Sequence, residues 1–490
     1  MNLKTRITKT SSGNTAVQVV HYANRKVNVV KHIGTASDQN GVCVLKQQAS
    51  IWIQEELKQK PLFGEKLIDE NKIFNDQYIF KKVQLTFAYE VLNNLLQKFN
   101  FNLHLNHLMQ NLVIAQVLEN GSKRHMVRFL DEQMAIKLNL TRVYEWFPKY
   151  KESLKDSILK EAISVAKREF KFNFSFVLYD VTTLYFESFK EYDFQKPGFS
   201  KDNKANQPQI VIGLVVTPEG FPVHYDVFPG NTFEGHTFLE IVRSFKTKRD
   251  IKKLTVVADA AMFSKLNFEE LKKEKINYIV GARLANQKQS ILDSIEINLK
   301  KEDQSTFKLN ELIVEYSQKR FNKDKRELDK QVKKARAESG KYTTKLKKLK
   351  YLKNTQSTFL VDEDLIVKNT KLLGIKGYTT DLDLLDREII DYYHNLFKIE
   401  HAFRISKSDL EVRPIFHHKE ESIKNHILLC FMALCISVYM ELKVKMSIKE
   451  ILHQIRSVAE IHLESRITGN ILKTRSELST TVREILQMSY

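Results

Sequence analysis

Three carboxylates in this 490-residue chain stand at positions that suit metal-assisted chemistry. Asp180 lies inside an apolar run, FVLYDVTT, where a charged side chain is costly unless it is paired or bound to a cation. Asp259 closes a second apolar run, TVVADAAM, where the chain leaves a strand, and strand ends are where α/β folds place ligands. Singly, each is as readily a satisfied structural aspartate. Glu400 lies in YYHNLFKIEHAFRISKSDL (392–410), whose apolar residues recur at helical steps. On an ideal helix seven residues return to within about 20° of the start, so Tyr393, Glu400 and Lys407 form one line. Arg404 lies about 40° away on the same side. Tyr392, Leu396, Ile399, Phe403 and Leu410 form an apolar stripe about 70° to the other side, which puts Glu400 at the edge of the buried face.

Two aspartates and a glutamate brought to one place repel one another unless a cation holds them. Oxygen-only ligands suit Mg2+ or Mn2+. Two such ions can hold the attacking and leaving oxygens of a phosphodiester in line, with a water or a DNA 3′-hydroxyl as nucleophile.

The elements that must position these residues are legible around them. Residues 174–188 are β-branched and aromatic and predict a strand. Residues 209–231 predict two strands joined at Pro218-Glu219-Gly220. A short helix is expected over 234–245, with Asn231 and Thr232 as its cap. A strand over 253–263, a helix over 264–274 and a buried strand over 276–284 follow. Three strands, a helix, then alternating strand and helix describe an α/β domain with a mixed sheet, in the order of the ribonuclease H-like fold. Upstream, 15–33 read as two strands around Asn24-Arg25, and about 45–170 as helical.

The formal net charge of +19 points to a polyanionic partner, most often nucleic acid. Residues 319–353 alone hold fifteen Lys/Arg against four Asp/Glu and predict a helical arm or hairpin that contacts phosphate. Cys43, Cys430 and Cys435 form neither a disulfide framework nor a zinc pattern, which fits a reducing cytosol. The N-terminus shows no apolar signal segment. The run ILLCFMALCISVYM (427–440) is shorter than the ~20 residues of a bilayer span and reads as a buried core helix, so no membrane partner is expected.

The segments around all three carboxylates resemble the DDE transposases of bacterial insertion sequences, in the subclass whose glutamate region reads Y-x2-R-x3-E-x6-K. Here the pattern is Tyr393, Leu396, Glu400, Lys407, with Leu396 in the place of the arginine. Arg404, in IEHAFRISKSDLEVRPIFHH, is the nearby candidate for the missing cation. The resemblance takes in LYDVTTLYFES, FPGNTFEGHTF (228–238), VVADAAMFS and the long interval between Asp259 and Glu400, and covers about residues 100–440. It implies a ribonuclease H-like catalytic domain in which Asp180, Asp259 and Glu400 ligate two Mg2+ (or Mn2+) ions, with Tyr393, Lys407 and Arg404 as DNA contacts. Such enzymes bind the terminal inverted repeats of their own element, nick to expose a 3′-hydroxyl and join it to target DNA. Related members form a hairpin on the transposon end and work as dimers. The implied partners are double-stranded DNA and a second copy of the chain, and the implied place is the cytoplasm, at the nucleoid.

The expected division is a β-hairpin region over 1–40, a helical DNA-binding region over 41–170, a catalytic domain over 171–285 and 371–445, a basic insertion over 286–370 and a helical tail over 446–490. A different metal-dependent nuclease on the same fold fits less well, because of the length, the insertion and the Tyr-Glu-Lys line. A DNA-binding relic without activity is opposed by the presence of all three carboxylates. Acid–base hydrolysis by paired carboxylates explains neither the charge nor the basic segment.

Overall fold

The structure is a computed structural model that describes residues 3–23, 26–57, 77–187, 190–199, 206–260, 265–340, 349–354, 358–412 and 415–490. The chain forms two compact units, residues 1–81 with 463–472 and residues 82–462 with 473–490. In the first unit, strands Leu3–Lys9, Thr15–Ala23 and Lys26–Ala36 form an antiparallel sheet in chain order. Helix Gln39–Leu57 packs on it around Leu3, Val17, Val19 and Ala49. The sequence predicts two strands here. The third, LKTRITK, is mostly polar and gives little strand signal, yet it pairs along its whole length with Thr15–His21. The turn expected at Asn24-Arg25 lies outside the described residues.

The second unit opens with helices Thr86–Lys98, His107–Leu118, Lys123–Met134, Leu140–Trp146 and Glu152–Phe170. Their apolar faces join one continuous core with helix Glu420–Val444. That helix is 25 residues long, longer than its apolar run suggests, and apolar enough to cross a membrane by length and composition. Its residues Ile427 to Met440 are nonetheless buried among the protein's own side chains.

The sheet that follows has eight strands: β1 (Phe176–Tyr185), β2 (Gln209–Val216), β3 (Pro222–Pro229), β4 (Thr255–Ala258), β5 (Asn277–Ala282), β6 (Thr306–Leu309), β7 (Leu312–Tyr316) and β8 (Ile375–Thr380). Their spatial order is β6-β7-β8-β5-β4-β1-β2-β3. Strands β1, β4 and β5 run parallel and every other pairing is antiparallel, so this is a mixed α/β sheet. The β2–β3 turn closes with the Gly220 N–H on the Thr217 carbonyl at 2.8 Å, and Gly220 takes a φ of +101°, which a side chain would strain.

Side chains alternate between the two faces of each strand. On one face the Tyr179 hydroxyl meets the Thr237 hydroxyl at 3.2 Å, under helix Glu234–Lys248. On the other, the Phe176 ring stacks on Tyr392 with centroids 3.8 Å apart. Asp180 shares the parity of Phe176 and therefore the face covered by the helices after residue 385.

Four expectations need correction. Strands β6 and β7 fall inside the expected insertion and extend the sheet, joined by a two-residue turn in which Asn310 takes a φ of +55°. The charge excess just beyond them conceals this short hairpin in the sequence. Helix Glu234–Lys248 starts from Phe233 with no side-chain cap, so neither Asn231 nor Thr232 caps it. Strand Tyr78–Gln84 interrupts the stretch expected to be helical. The expected helical tail holds strands Glu460–Ser465 and Ile471–Arg475 between two helices, and residues 463–472 group with the first unit.

The basic segment begins as helix Gln318–Glu338; residues 341–348 lie outside the described residues. Leu328 and Ala335 of this helix pack with Tyr351 and Leu373 in a small core of their own, which roots the helix beside β8.

One buried ion pair ties the helical bundle to the sheet. Lys155 bonds Asp226 on β3, and His224 meets the same carboxylate at 3.1 Å. Burial keeps the His224 imidazole below its ordinary value, so near neutral pH it donates as a neutral ring and Lys155 is the counter-charge. Burial alone would raise the Asp226 carboxyl; His224 and Lys155 outweigh it and hold it at about 2. A depressed carboxyl contributes stability that is full above about pH 4, its unfolded range, and that fades as pH falls through the folded value. Asp226→Asn is therefore expected to melt below wild type at pH 7. The gap in melting temperature should close between about pH 4 and about pH 2; a gap independent of pH would show that the charge is not what matters.

Candidate active site

The register of the parallel strands sets the site. Tyr179 on β1 pairs with Ala258 on β4, and Ala258 with Val280 on β5. Gly281 in turn pairs with Tyr378 on β8. One step beyond the β1–β4 pairing come Asp180, still on β1, and Asp259, the first residue past the end of β4, level with Gly281 and Tyr378 on the next two strands. Neighbouring strands are about 5 Å apart, so the two aspartates are cross-strand neighbours. Asp180 is half-buried and Asp259 is exposed at the strand's end. Each accepts the N–H of its own following residue at 2.7 Å, which orients the carboxylates.

Tyr393 reaches across this row. It is 7% exposed, its ring meets Tyr378 edge-on at 5.0 Å, and its hydroxyl donates to Asp259 Oδ1 at 3.2 Å. Burial raises the phenol above its ordinary value and the charges of Asp259 and Glu400 raise it further, so it stays a donor. Glycine is what admits it. A Cβ at residue 281 would come within 2.6 Å of the Tyr393 hydroxyl oxygen.

Glu400 arrives on a different path from the one the spacing predicts. Residues 392–410 are not one ideal helix. Helix Asp386–His394 ends in a tight turn, with Leu396 N–H on the Tyr393 carbonyl and Lys398 N–H on the Asn395 carbonyl at 3.1 and 2.9 Å. Helix Phe397–Arg404 follows, then a wide π turn over Ile405–Asp409. Tightening and widening of the turns change the angle per residue, so the ideal-helix projection does not hold through Tyr393, Glu400 and Lys407. Glu400 is exposed, and its charge acts on both Tyr393 and Lys376. Lys407 is half-buried in the π turn. Leu396 is half-buried against the core.

Arg404 turns elsewhere. It donates to His401 Nδ1 at 2.6 Å, and His401 donates from Nε2 to Glu441 at 2.5 Å. Two cations that act beside Tyr393 are Lys376 of β8 and Arg320 of helix Gln318–Glu338, and no sequence motif singles out either. Lys376 was detectable as a lysine inside a strand, in GIKGY. Arg320 is one of fifteen basic residues in its segment and carries no distinguishing signal.

The donor chemistry suits a hard divalent cation, since Asp180 and Asp259 offer oxygens side by side. Among the described residues, no three of His, Cys, Asp and Glu stand close enough to enclose an ion, so Glu400 does not complete a three-ligand set in this conformation.

A mixed sheet thus brings two aspartates to neighbouring strand positions, with a glutamate on the covering helix. The family model of the transposase DDE domain matches residues 172–436, more than half the chain, and the chain belongs to that family. The family's activity is DNA cleavage and transfer in transposition. No curated protein matches the chain. Two solved structures are similar. One is a piggyBac transposase synaptic complex with hairpin DNA, at 9% identity and TM-score 0.39, covering 76% of this chain and 78% of that one. The other is a Mos1 transposase paired-end complex with the left transposon end, at 15% identity and TM-score 0.16, covering 47% and 66%.

Gly281 and Tyr393 give a direct check on the positioning of Asp259. Gly281→Ala has an unstrained backbone but displaces the Tyr393 hydroxyl, and Tyr393→Phe removes it. Both are expected to melt near wild type and to cut end DNA up to about 100-fold more slowly, as small misplacements of a reacting group can. Wild-type cleavage by both variants would show that the hydroxyl does not position Asp259.

Proposed function

We propose that this chain is the transposase of a bacterial insertion sequence, of the subclass marked by Y-x2-R-x3-E-x6-K with Leu396 in place of the arginine. In this reading it binds the terminal inverted repeats of its element, cuts the DNA and transfers the exposed 3′-hydroxyl to target DNA. The observation that carries the proposal is the alignment of Asp180 with Asp259 by the β1–β4 register, within the family match. The strand and helix order supports a ribonuclease H-like catalytic domain.

Asp180, Asp259 and Glu400 would hold two Mg2+ or Mn2+ ions. Bound there, such ions make the nucleophile reactive at neutral pH and offset charge on the phosphate. The chain's own groups act around them. Tyr393 fixes one oxygen of Asp259 and leaves the other for ligation. Lys407 would meet the DNA backbone, and Arg404, exposed although bonded to His401, would do so away from the carboxylates. The basic segment 319–353 grips DNA, and region 41–170 reads the ends. Two copies pair the two ends, in the bacterial cytoplasm at the nucleoid and without a membrane.

Asp180→Ala, Asp259→Ala and Glu400→Ala are each expected to lose Mg2+-dependent end cleavage by on the order of a thousandfold or more while end binding survives. A variant that cuts normally removes its residue from the site. A second measurement addresses the basic helix, where Lys330, Lys333 and Lys334 are exposed. Changing all three to Gln should lower the slope of log affinity against log salt by about 0.9 for each phosphate that the helix no longer neutralises. An unchanged slope means that this face is merely solvated.

A further inference from the structure

Lys376 and Tyr378 lie two apart on β8 and so share a face, the one that carries Asp259. The Lys376 ammonium sits 4.4 Å from the Tyr393 ring centroid and 5.4 Å from that of Tyr378, on the ring that hydrogen-bonds Asp259. Its cross-strand neighbour is Glu315 on β7. That carboxylate is already matched by Arg387 at 3.0 Å and by the Tyr378 hydroxyl at 3.2 Å. Lys376 makes no ion pair or hydrogen bond of its own among the described residues. Burial lowers its pKa and the nearby Arg320 lowers it further, while Asp259, Glu315 and Glu400 pull the other way without contact. A half-buried ammonium with no direct partner is a desolvation cost that an incoming anion would relieve.

Beside it opens a cavity of about 310 Å³ lined by Lys376, Gly377, Ala282, Lys350 and Arg320. Arg320 stands in the first turn of helix Gln318–Glu338 and holds Asp324 of the next turn at 3.2 Å. This helix start brings a second cation to the mouth of the site.

We propose that Lys376 binds the phosphate of the DNA strand being cut, and that Arg320 receives the neighbouring phosphate in the adjoining cavity. This rests on the transposase reading above and adds a role to it. The root of the basic segment then contributes to the reacting centre itself, besides the grip along its exposed face. An ammonium over Tyr393 and beside Asp259 can meet a non-bridging oxygen that the carboxylates would otherwise repel.

The test uses the full chain, an end-DNA duplex, and the same duplex with one neutral methylphosphonate at the scissile position. Affinity is measured without added metal and cleavage with Mg2+. Wild type should bind the neutralised duplex more weakly than the normal one, and Lys376→Met should bind both alike. Lys376→Met should also cut normal DNA about 100-fold more slowly, with partial rescue by Lys376→Arg. Melting curves check folding, and Lys376→Gln replaces the Met variant if that one unfolds. Equal sensitivity of wild type and variant to the methylphosphonate, or wild-type cleavage by the variant, overturns the proposal. If Asp259→Ala and Glu400→Ala are inactive while Lys376→Met cuts normally, only this inference fails. If the carboxylate variants cut normally, the transposase reading fails first.

Discussion

Asp180 on β1 and Asp259 at the end of β4 each follow directly on the Tyr179–Ala258 pair of two adjoining parallel strands, and two neighbouring carboxylates repel each other. Much of the surrounding structure resists that repulsion. The β1–β4 pairing runs through Phe176 to Tyr179, and the strands lie between a helix on one face and two on the other. The Phe176–Tyr392 stack clamps the covering helix just below the carboxylates. Tyr393 answers Asp259 with a hydroxyl, which Gly281 alone in the row leaves room for. The two aspartates are oriented in this way before a ligand arrives, while Glu400 does not yet join them.

The sheet's far edge gives the basic segment a place in that arrangement. Strands β6, β7 and β8 carry the sheet to the point where helix Gln318–Glu338 begins, and a small core around Leu328 and Tyr351 fixes the helix there. The charge excess therefore grows out of the eight-stranded sheet. Its first turn presents Arg320 near Lys376, and the rest extends along an exposed basic face.

The central strands were legible in the sequence because FVLYDVTTLY, QIVIGLVV and TVVA are apolar and β-branched over short lengths. The two aspartates were legible for the complementary reason, as charges in such runs. Strands β6 and β7 were not, since four- and five-residue strands beside a run of lysines give a weak periodic signal. The path of residues 392–410 was also hidden. A tight turn at Asn395 and a π turn after Arg404 leave no mark in the residue types, so an ideal-helix projection of Tyr393, Glu400 and Lys407 does not carry over to the real turns. Lys376 and Gly281 acquire meaning only through tertiary register. The lysine is 24 residues before Glu400 and more than a hundred from Asp259, and nothing local ties it to either.

The central claim is that Asp180 and Asp259 share a metal ion with Glu400 around a DNA phosphate. Anomalous diffraction at the manganese edge, from crystals of the full chain with end DNA and Mn2+, tests it most directly. The expected result is manganese held by the Asp180 and Asp259 carboxylates, with Glu400 moved in beside them. Manganese bound only elsewhere, with the two aspartates unliganded, would contradict it.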